Sequence, residues 1–342
     1  MSPASFPILL VGLAQRTSLE QMYLRAFRAN GYREVDLLDV EANRPVWSRN
    51  RVVNRFLPGV GHTWASRRLL THLRGSNDRY RWIVVFKGMQ FSRQVLEECR
   101  RLAPTALWIN VNPDDPYNLL SRAASNSNII ESLSFFDAYC IWSRPIADRL
   151  RADGCNKVIY LPFGYDMTYH VPHAPSRQAA PACISFIGSW DKEREAVLAR
   201  LAGYNVSIHG NGWERAARAF PLSRGLSYRD VFGPEMAAIN GSSAICLNLL
   251  RPQNQGSHNM RTFEIPAMGG LMLTSRTAEQ QEFFPENEAC YMYADVAELK
   301  EKIEYILANK QEADRVRARG MELVGEHSYT HRARFILKEL AW

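Results

Sequence analysis

This sequence predicts an α/β fold of two αβα domains, each a parallel sheet covered by helices, and three observations carry the prediction. Short apolar runs alternate with amphipathic stretches along the whole chain, as they do when parallel strands are buried on both faces. At 342 residues the chain is long for one core. The alternation also stops once, over residues 165–182 (YDMTYHVPHAPSRQAAPA), and then restarts. That stretch is rich in proline, histidine and small residues and reads as a linker. The expected division is an N-terminal domain over 1–165, a linker over 166–182, a C-terminal domain over 183–328 and a closing helix over 329–342. Two such domains on a short linker point to a ligand cleft between them.

The elements follow in order. Residues 6–13 (FPILLVGL) have the length and continuous apolar character of a buried strand, and residues 18–31 form an amphipathic helix closed by Gly31. Residues 33–40 read as a second strand, and 81–88 (RWIVVFKG) as a third beyond an arginine-rich segment. A helix over 92–103 leads to a fourth strand, 105–111, which runs into the turn Asn112-Pro113-Asp114-Asp115-Pro116. A helix near 126–133, strand 137–142, helix 146–154 and strand 157–164 complete the first half. The second half brings strand 182–189, helix 192–203, strand and loop 205–212, and a helix near 228–240. Strands 243–250, 270–274 and 290–293 and the helices 296–309, 312–328 and 330–341 follow. No internal sequence repeat is visible.

Hydrophobic content of 46% and charged content of 23% are those of an ordinary globular chain. No apolar run approaches the roughly 18 residues of a membrane span. The apolar start lacks a basic leader and a cleavage site, so no signal peptide is expected. Cys99, Cys140, Cys155, Cys183, Cys246 and Cys290 stand singly. That spacing excludes a zinc ribbon and a disulfide framework and suits reduced thiols in a cytoplasmic protein. The net charge of +7 is uneven, with nine arginines and one acid, Asp78, between Arg44 and Arg81. That strip reads either as a solvated helix-and-loop face or as a surface for an anionic acceptor, an anionic membrane or nucleic acid. It also holds Trp47, Trp64 and Trp82, but no nucleic-acid module accompanies them, so nucleic acid is not expected as a partner.

The densest chemical signal is NMRTFEIPAMGGLMLT, which starts at Asn259. It reads as a loop (His258, Asn259, Met260), a helix with Arg261 and Glu264 on one face, a Gly-Gly stop and a strand. Amides at a helix start and a guanidinium suit a diphosphate, and the carboxylate suits a pair of sugar hydroxyls. The alternative is an intrahelical ion pair on a solvated face. Gly188 and Ser189 end a strand before a charged helix start that includes Arg194, either a close approach to phosphate or a plain turn capped by Asp191. In the loop His209-Gly210-Asn211-Gly212-Trp213, small residues leave room for a base and Trp213 either stacks on it or joins the core. Asp114 and Asp115 form a candidate general-base pair, or else a helix cap. Lys87, ending the third strand, suits an acceptor phosphate or carboxylate. Gly12, ending the first, suits close approach of acceptor or donor. The dinucleotide fingerprint, the Walker A loop and clustered metal ligands are all missing.

Several of these pieces together resemble a known family. FIGSWDKERE, HGNGW, NMRTFEIPAMGGLMLT, residues 282–307 and the tail HSYTHRARFIL are similar to the C-terminal domain of group 1 glycosyltransferases, most closely the branch named after spore maturation protein CgeB. VVFKG, NPDDP and DAYCIWSRPIADRLRADG match more loosely. The resemblance implies a GT-B fold, two Rossmann-like domains facing a central cleft. The closing helix would cross back onto the first domain. It also implies metal-independent transfer of a sugar from a nucleoside-diphosphate donor, with no other cofactor. The acceptor would be a surface glycan or lipid-linked, at the cytoplasm or the inner membrane face. By the same resemblance Glu264 takes the donor-ribose position, and Arg261 with the amides from His258 onward takes the diphosphate position. One departure stands out: retaining members carry a second glutamate where this chain has Gly256. Two rivals remain, an epimerase of the same architecture and a non-catalytic binder of anionic polymer through the arginine strip.

Overall fold

The computed structural model describes residues 6–45, 58–119, 124–173, 184–216 and 226–340. They divide into two compact units, Met1–Pro162 with Arg332–Trp342, and Phe163–His331.

In the first unit, β1 (Ile8–Gly12), β2 (Val35–Asp39), β3 (Trp82–Phe86), β4 (Leu107–Asn112), β5 (Ala138–Ile141) and β6 (Val158–Tyr160) pair in parallel in the order β2-β1-β3-β4-β5-β6. Every residue of β1, β3 and β5 is buried, which is why these strands are continuous apolar runs. Helices α1 (Leu19–Ala29), α2 (Pro58–Arg74), α3 (Arg93–Leu102), α4 (Ser127–Ser132) and α5 (Arg144–Ala152) connect them. Ser18 and Ser92 cap α1 and α3 by accepting from the amides of Gln21 and Val95. Gly31 turns the chain out of α1 at φ 92°.

The arginine-rich segment takes the form of the solvated face among its expected readings. Part of it is α2, which buries Ala65, Leu69 and Leu73 at four-residue spacing. Trp47, Arg49, Arg51 and Arg55 lie outside the described residues. Of the rest, Arg44 is buried against Glu41, Arg74 pairs with Glu98 and Arg79 with Asp36, while Arg68 donates to the Asp39 carbonyl. Trp82 is core, and the Trp64 indole donates to the Ala42 carbonyl. Arg74 and Arg79 remain more than half exposed in these surface pairs, so the described part of the strip is largely a solvated face laced with ion pairs.

The second unit has its own parallel sheet, β12-β11-β10-β7-β8-β9, of β7 (Ile184–Ile187), β8 (Val206–His209), β9 (Leu226–Ser227), β10 (Ile245–Asn248), β11 (Met272–Ser275) and β12 (Tyr291–Tyr293). Its helices are α6 (Lys192–Ala199), α7 (Gly233–Ser242), α8 (Arg261–Ala267), α9 (Ala278–Phe283), α10 (Val296–Ala308) and α11 (Lys310–Leu323). Asp191 and Asp295 cap α6 and α10. The last helix, α12 (Tyr329–Glu339), starts in this unit. From Arg332 onward it belongs to the first, where Arg332 donates to the Pro162 carbonyl at 3.0 Å and Arg334 to Asn30 at 3.2 Å.

Cys99, Cys140, Cys155, Cys246 and Cys290 are buried free thiols, and Cys183 lies outside the described residues. Among the described residues no helix is long and apolar enough to cross a membrane.

Candidate functional site

Strand order in the second sheet reverses between β7 and β10, and open α/β sheets take ligands beyond the carboxyl ends of their strands at such a reversal. The loops that leave β7 and β10 carry the groups that matter. Arg194 is buried on the first turn of α6, with Nε and Nη2 donating to the Leu249 carbonyl at 3.1 and 2.8 Å and Nη1 to the Ser189 carbonyl at 3.2 Å. Among the described residues no carboxylate is hydrogen-bonded to it, and the charge of Asp191 only partly offsets the cost of its burial. Burial first, and then the charges of Arg251 and Arg261, pull its pKa down to about 9. Arg261 reaches across from α8, where its Nε donates to the Ile187 carbonyl at the end of β7, 3.2 Å away. The guanidiniums of Arg194 and Arg261 thus both sit on the carbonyls that end this part of the sheet, at Ser189, Leu249 and Ile187, and burying the first of them is costly until an anion arrives. Arg251 drew no notice in the sequence because nothing in its spacing sets it apart.

Glu264 sits one turn beyond Arg261 and is only 2% exposed. One carboxylate oxygen, Oε2, accepts from Arg261 Nη1, and the other, Oε1, lies 3.6 Å from His170 Nε2. The i,i+3 pair therefore exists, but its acid is buried instead of facing solvent. A cavity of about 400 Å³ opens at the ends of β11 and β12, lined by Arg194, Leu250, Gly256, Arg276, Tyr293 and Asp295 among others; Arg194 is thus on its wall, and Arg261 and Glu264 are not.

Several expected contacts are corrected. Trp213 cannot stack on a base, because it is fully buried in the core, edge-on to Phe186, with its indole N–H on the Gly188 carbonyl at 2.9 Å. The His258 imidazole is fully buried too, accepting from Phe163 N at 3.2 Å through Nε2 and held 2.8 Å from Glu279 through Nδ1, so only its backbone can meet a ligand. The Asn259 side chain is turned inward, donating to Asn248 at 2.8 Å and accepting from Thr262 N at 3.1 Å. Asn211 is tied to Asp230, and Gly210 packs directly on the Gly188 carbonyl. Gly188, Gly210 and Gly212 thus shape the β7 and β8 turns, and Met260 is half-buried ahead of α8.

In the first unit the order reverses between β1 and β3, and the structure brings Lys87 and Asp114 together there, Nζ to Oδ2 at 2.6 Å. Lys87 adopts φ 61°, an uncommon backbone for a residue with a side chain, fixed by its amide on the Val111 carbonyl at 3.0 Å. Asp115 accepts from the Tyr117 amide at 2.9 Å. It closes a turn rather than capping a helix, since the next helix, α4, is capped by Asn126. The space beside Gly12 is not open to a ligand, since a Cβ there would stand 2.3 Å from Glu20 Oε1. Glu20 itself is buried, accepts from Leu13 N at 2.9 Å and has its pKa raised, mainly by burial.

Arg276, at the cavity rim, pairs with both Glu286 and Glu298. Hydrogen bonding to Arg276 first, and to the Ala294 amide second, lowers Glu298 from 4.5 to about 2, and Glu286 is lowered as well. Carboxylates depressed in the folded state add stability above pH 4.5 that disappears as the pH falls towards 2. Arg276→Gln is expected to move the acid-unfolding midpoint to higher pH, followed by circular dichroism from pH 5 to pH 2. An unchanged midpoint would show that the pairing carries no stability.

Known proteins share this architecture. Residues 193–338 match a family model described as glycosyl transferase-like. No curated protein matches the chain. Among solved structures, sucrose-phosphate synthase from Thermosynechococcus elongatus superposes with a TM-score of 0.71 at 15% identity, over 98% of this chain and 99% of that one. HepE from Anabaena, in complex with UDP and glucose, gives 0.66 at 10% identity over 98% and 99%. The fold is GT-B. A putative UDP-N-acetylglucosamine 2-epimerase from Listeria monocytogenes also superposes, with a TM-score of 0.57 at 9% identity over 97% and 95%. Identities this low speak for the GT-B architecture, which hosts more than one reaction.

Proposed function

We propose that this GT-B protein is a cytoplasmic glycosyltransferase of the CgeB-like branch that moves a sugar from a nucleoside-diphosphate donor to a hydroxyl acceptor. The observation that carries the reading is the placement of Arg194 and Arg261, with the buried carboxylate of Glu264, on the strand ends where the second sheet reverses its order. A diphosphate, with its two negative charges, would neutralise Arg194 and Arg261, and ribose hydroxyls would donate to Glu264. The same guanidiniums would stabilise charge developing on the departing nucleoside diphosphate, the electrostatic work a metal performs elsewhere. Gly188 and Gly210 support the reading indirectly, because they let the β7 and β8 turns lie against each other. On the first unit we assign Lys87 and Asp114 to the side that meets a glycan or lipid-linked acceptor, with Asp114 as the base if one is needed. UDP in the HepE complex favours a uridine donor over other bases.

Thermal melting with UDP-, GDP-, ADP- and CMP-linked sugars, each with and without EDTA, tests this. One diphosphate class should stabilise the protein by about 2.7 kcal/mol at a hundredfold excess over Kd. The monophosphate-linked CMP sugars should not, and EDTA should change nothing. Turnover should then release free nucleoside diphosphate. An epimerase would instead return an intact sugar nucleotide with one centre inverted. A flat response to the whole panel ends the proposal.

A further inference from the structure

Residues 166–170 fall in the stretch whose composition reads as a linker, yet they form a tight turn. Asp166 Oδ1 accepts from the amides of Thr168 and Tyr169 at 2.8 and 3.0 Å and from the Thr168 hydroxyl at 2.7 Å. The His170 amide returns to the Asp166 carbonyl at 2.8 Å. Asp166 N donates to His170 Nδ1 at 3.1 Å. An imidazole that accepts at Nδ1 carries its proton on Nε2, and Nε2 is the atom 3.6 Å from Glu264 Oε1. His170 and Glu264 are 4% and 2% exposed, and the Tyr169 ring packs edge-on to the imidazole at 5.5 Å. Arg261, on the other carboxylate oxygen, is more open, its side chain 26% exposed.

We propose that His170 is a positioning residue for Glu264, an inference that rests on the nucleotide-sugar reading above. The two donors on the carboxylate differ in what a ligand does to them. A diphosphate competes for Arg261, and drawing that guanidinium away frees Oε2 to accept ribose hydroxyls. It also removes the cation that balances a buried carboxylate. His170 is fixed by its own turn and stays. Closing its gap by roughly half an ångström makes a full hydrogen bond to Oε1. That bond keeps the carboxylate aimed at the ribose while Arg261 serves the phosphate. His170 therefore governs how well the site distinguishes a ribose from a sugar without its hydroxyls, and it leaves the phosphate contacts alone.

The test compares dissociation constants of UDP, GDP and ADP with those of their 2′,3′-dideoxy forms. The wild type should prefer the ribose form of the base it accepts by roughly tenfold or more. His170→Met fills the space without a donor and should lose most of that preference with dideoxy affinity unchanged. His170→Gln restores an N–H and should recover it. A Met variant that keeps the full preference overturns the inference alone. A wild type that binds all three nucleotides yet ignores the ribose hydroxyls overturns the inference together with the reading beneath it. Nitrogen NMR of the wild-type imidazole gives a check that needs no variant, since a proton found on Nδ1 instead of Nε2 also overturns it.

Discussion

Glu264→Gln is expected to weaken binding of the preferred nucleoside diphosphate by roughly 10- to 100-fold, the loss of about 1.5–3 kcal/mol that follows when a charged acceptor becomes a neutral one. The carboxylate is almost wholly buried, so water does little to dilute its hydrogen bonds. Glutamine keeps the shape but turns an N–H₂ group towards donors: Arg261 Nη1, His170 Nε2 and, when ligand is present, the ribose hydroxyls. Inorganic pyrophosphate separates the causes. It lacks a ribose, and the substitution frees Arg261 from its internal partner, so its affinity should hold or rise. Equal weakening of pyrophosphate and nucleotide would mean that the substitution damages the pocket as a whole. A lower melting temperature with unchanged nucleotide affinity would return Glu264 to a purely structural ion pair.

How much of this was legible in the residues depends on where each side chain spends its interactions. The strands were, because β1, β3 and β7 are buried along their whole length and so appear as unbroken apolar runs. Helix starts were legible where a short polar side chain caps its own helix, as Ser18, Ser92 and Asp191 do, although the short α9 behind its Thr277 cap was missed. Helix α2 was not, since its buried stripe of Ala65, Leu69 and Leu73 is hidden among arginines and histidines and follows Gly59 and Gly61. Arg261 and Glu264 were legible because both partners lie on one turn of one helix. Lys87 and Asp114 come from different strand ends, and only the sheet brings them together. Trp213 was ambiguous for a physical reason: a tryptophan after two glycines suits a ligand platform and a core plug equally well. Burial against Phe186 decides for the core. His170 was invisible because a linker is inferred from composition, and composition does not register an Asp166 that organises its own turn.

The substitution Gly210→Ala should do the greatest harm to folding. At Gly210 a Cβ would stand 2.2 Å from the Gly188 carbonyl oxygen, 2.6 Å from its carbon and 3.1 Å from Ser189 N, all backbone atoms that no rotamer change can move aside. The local φ of 146° adds strain of its own for an L side chain. That carbonyl also accepts the Trp213 indole at 2.9 Å, so pushing the β7 and β8 turns apart breaks a buried hydrogen bond under the core. Collision and strain together should remove roughly 3 kcal/mol or more. Gly256→Ala isolates the strain term. Gly256 also has a left-handed φ, 81°, but nothing lies within 4 Å of its would-be Cβ, so roughly 1–2 kcal/mol is expected there. Chemical denaturation of the two variants, followed by tryptophan fluorescence, should place Gly210→Ala well below Gly256→Ala. Equal losses would mean that the two turns do not lie against each other as described, and the arrangement that sets Arg194 and Arg261 at the strand ends would have to be redrawn.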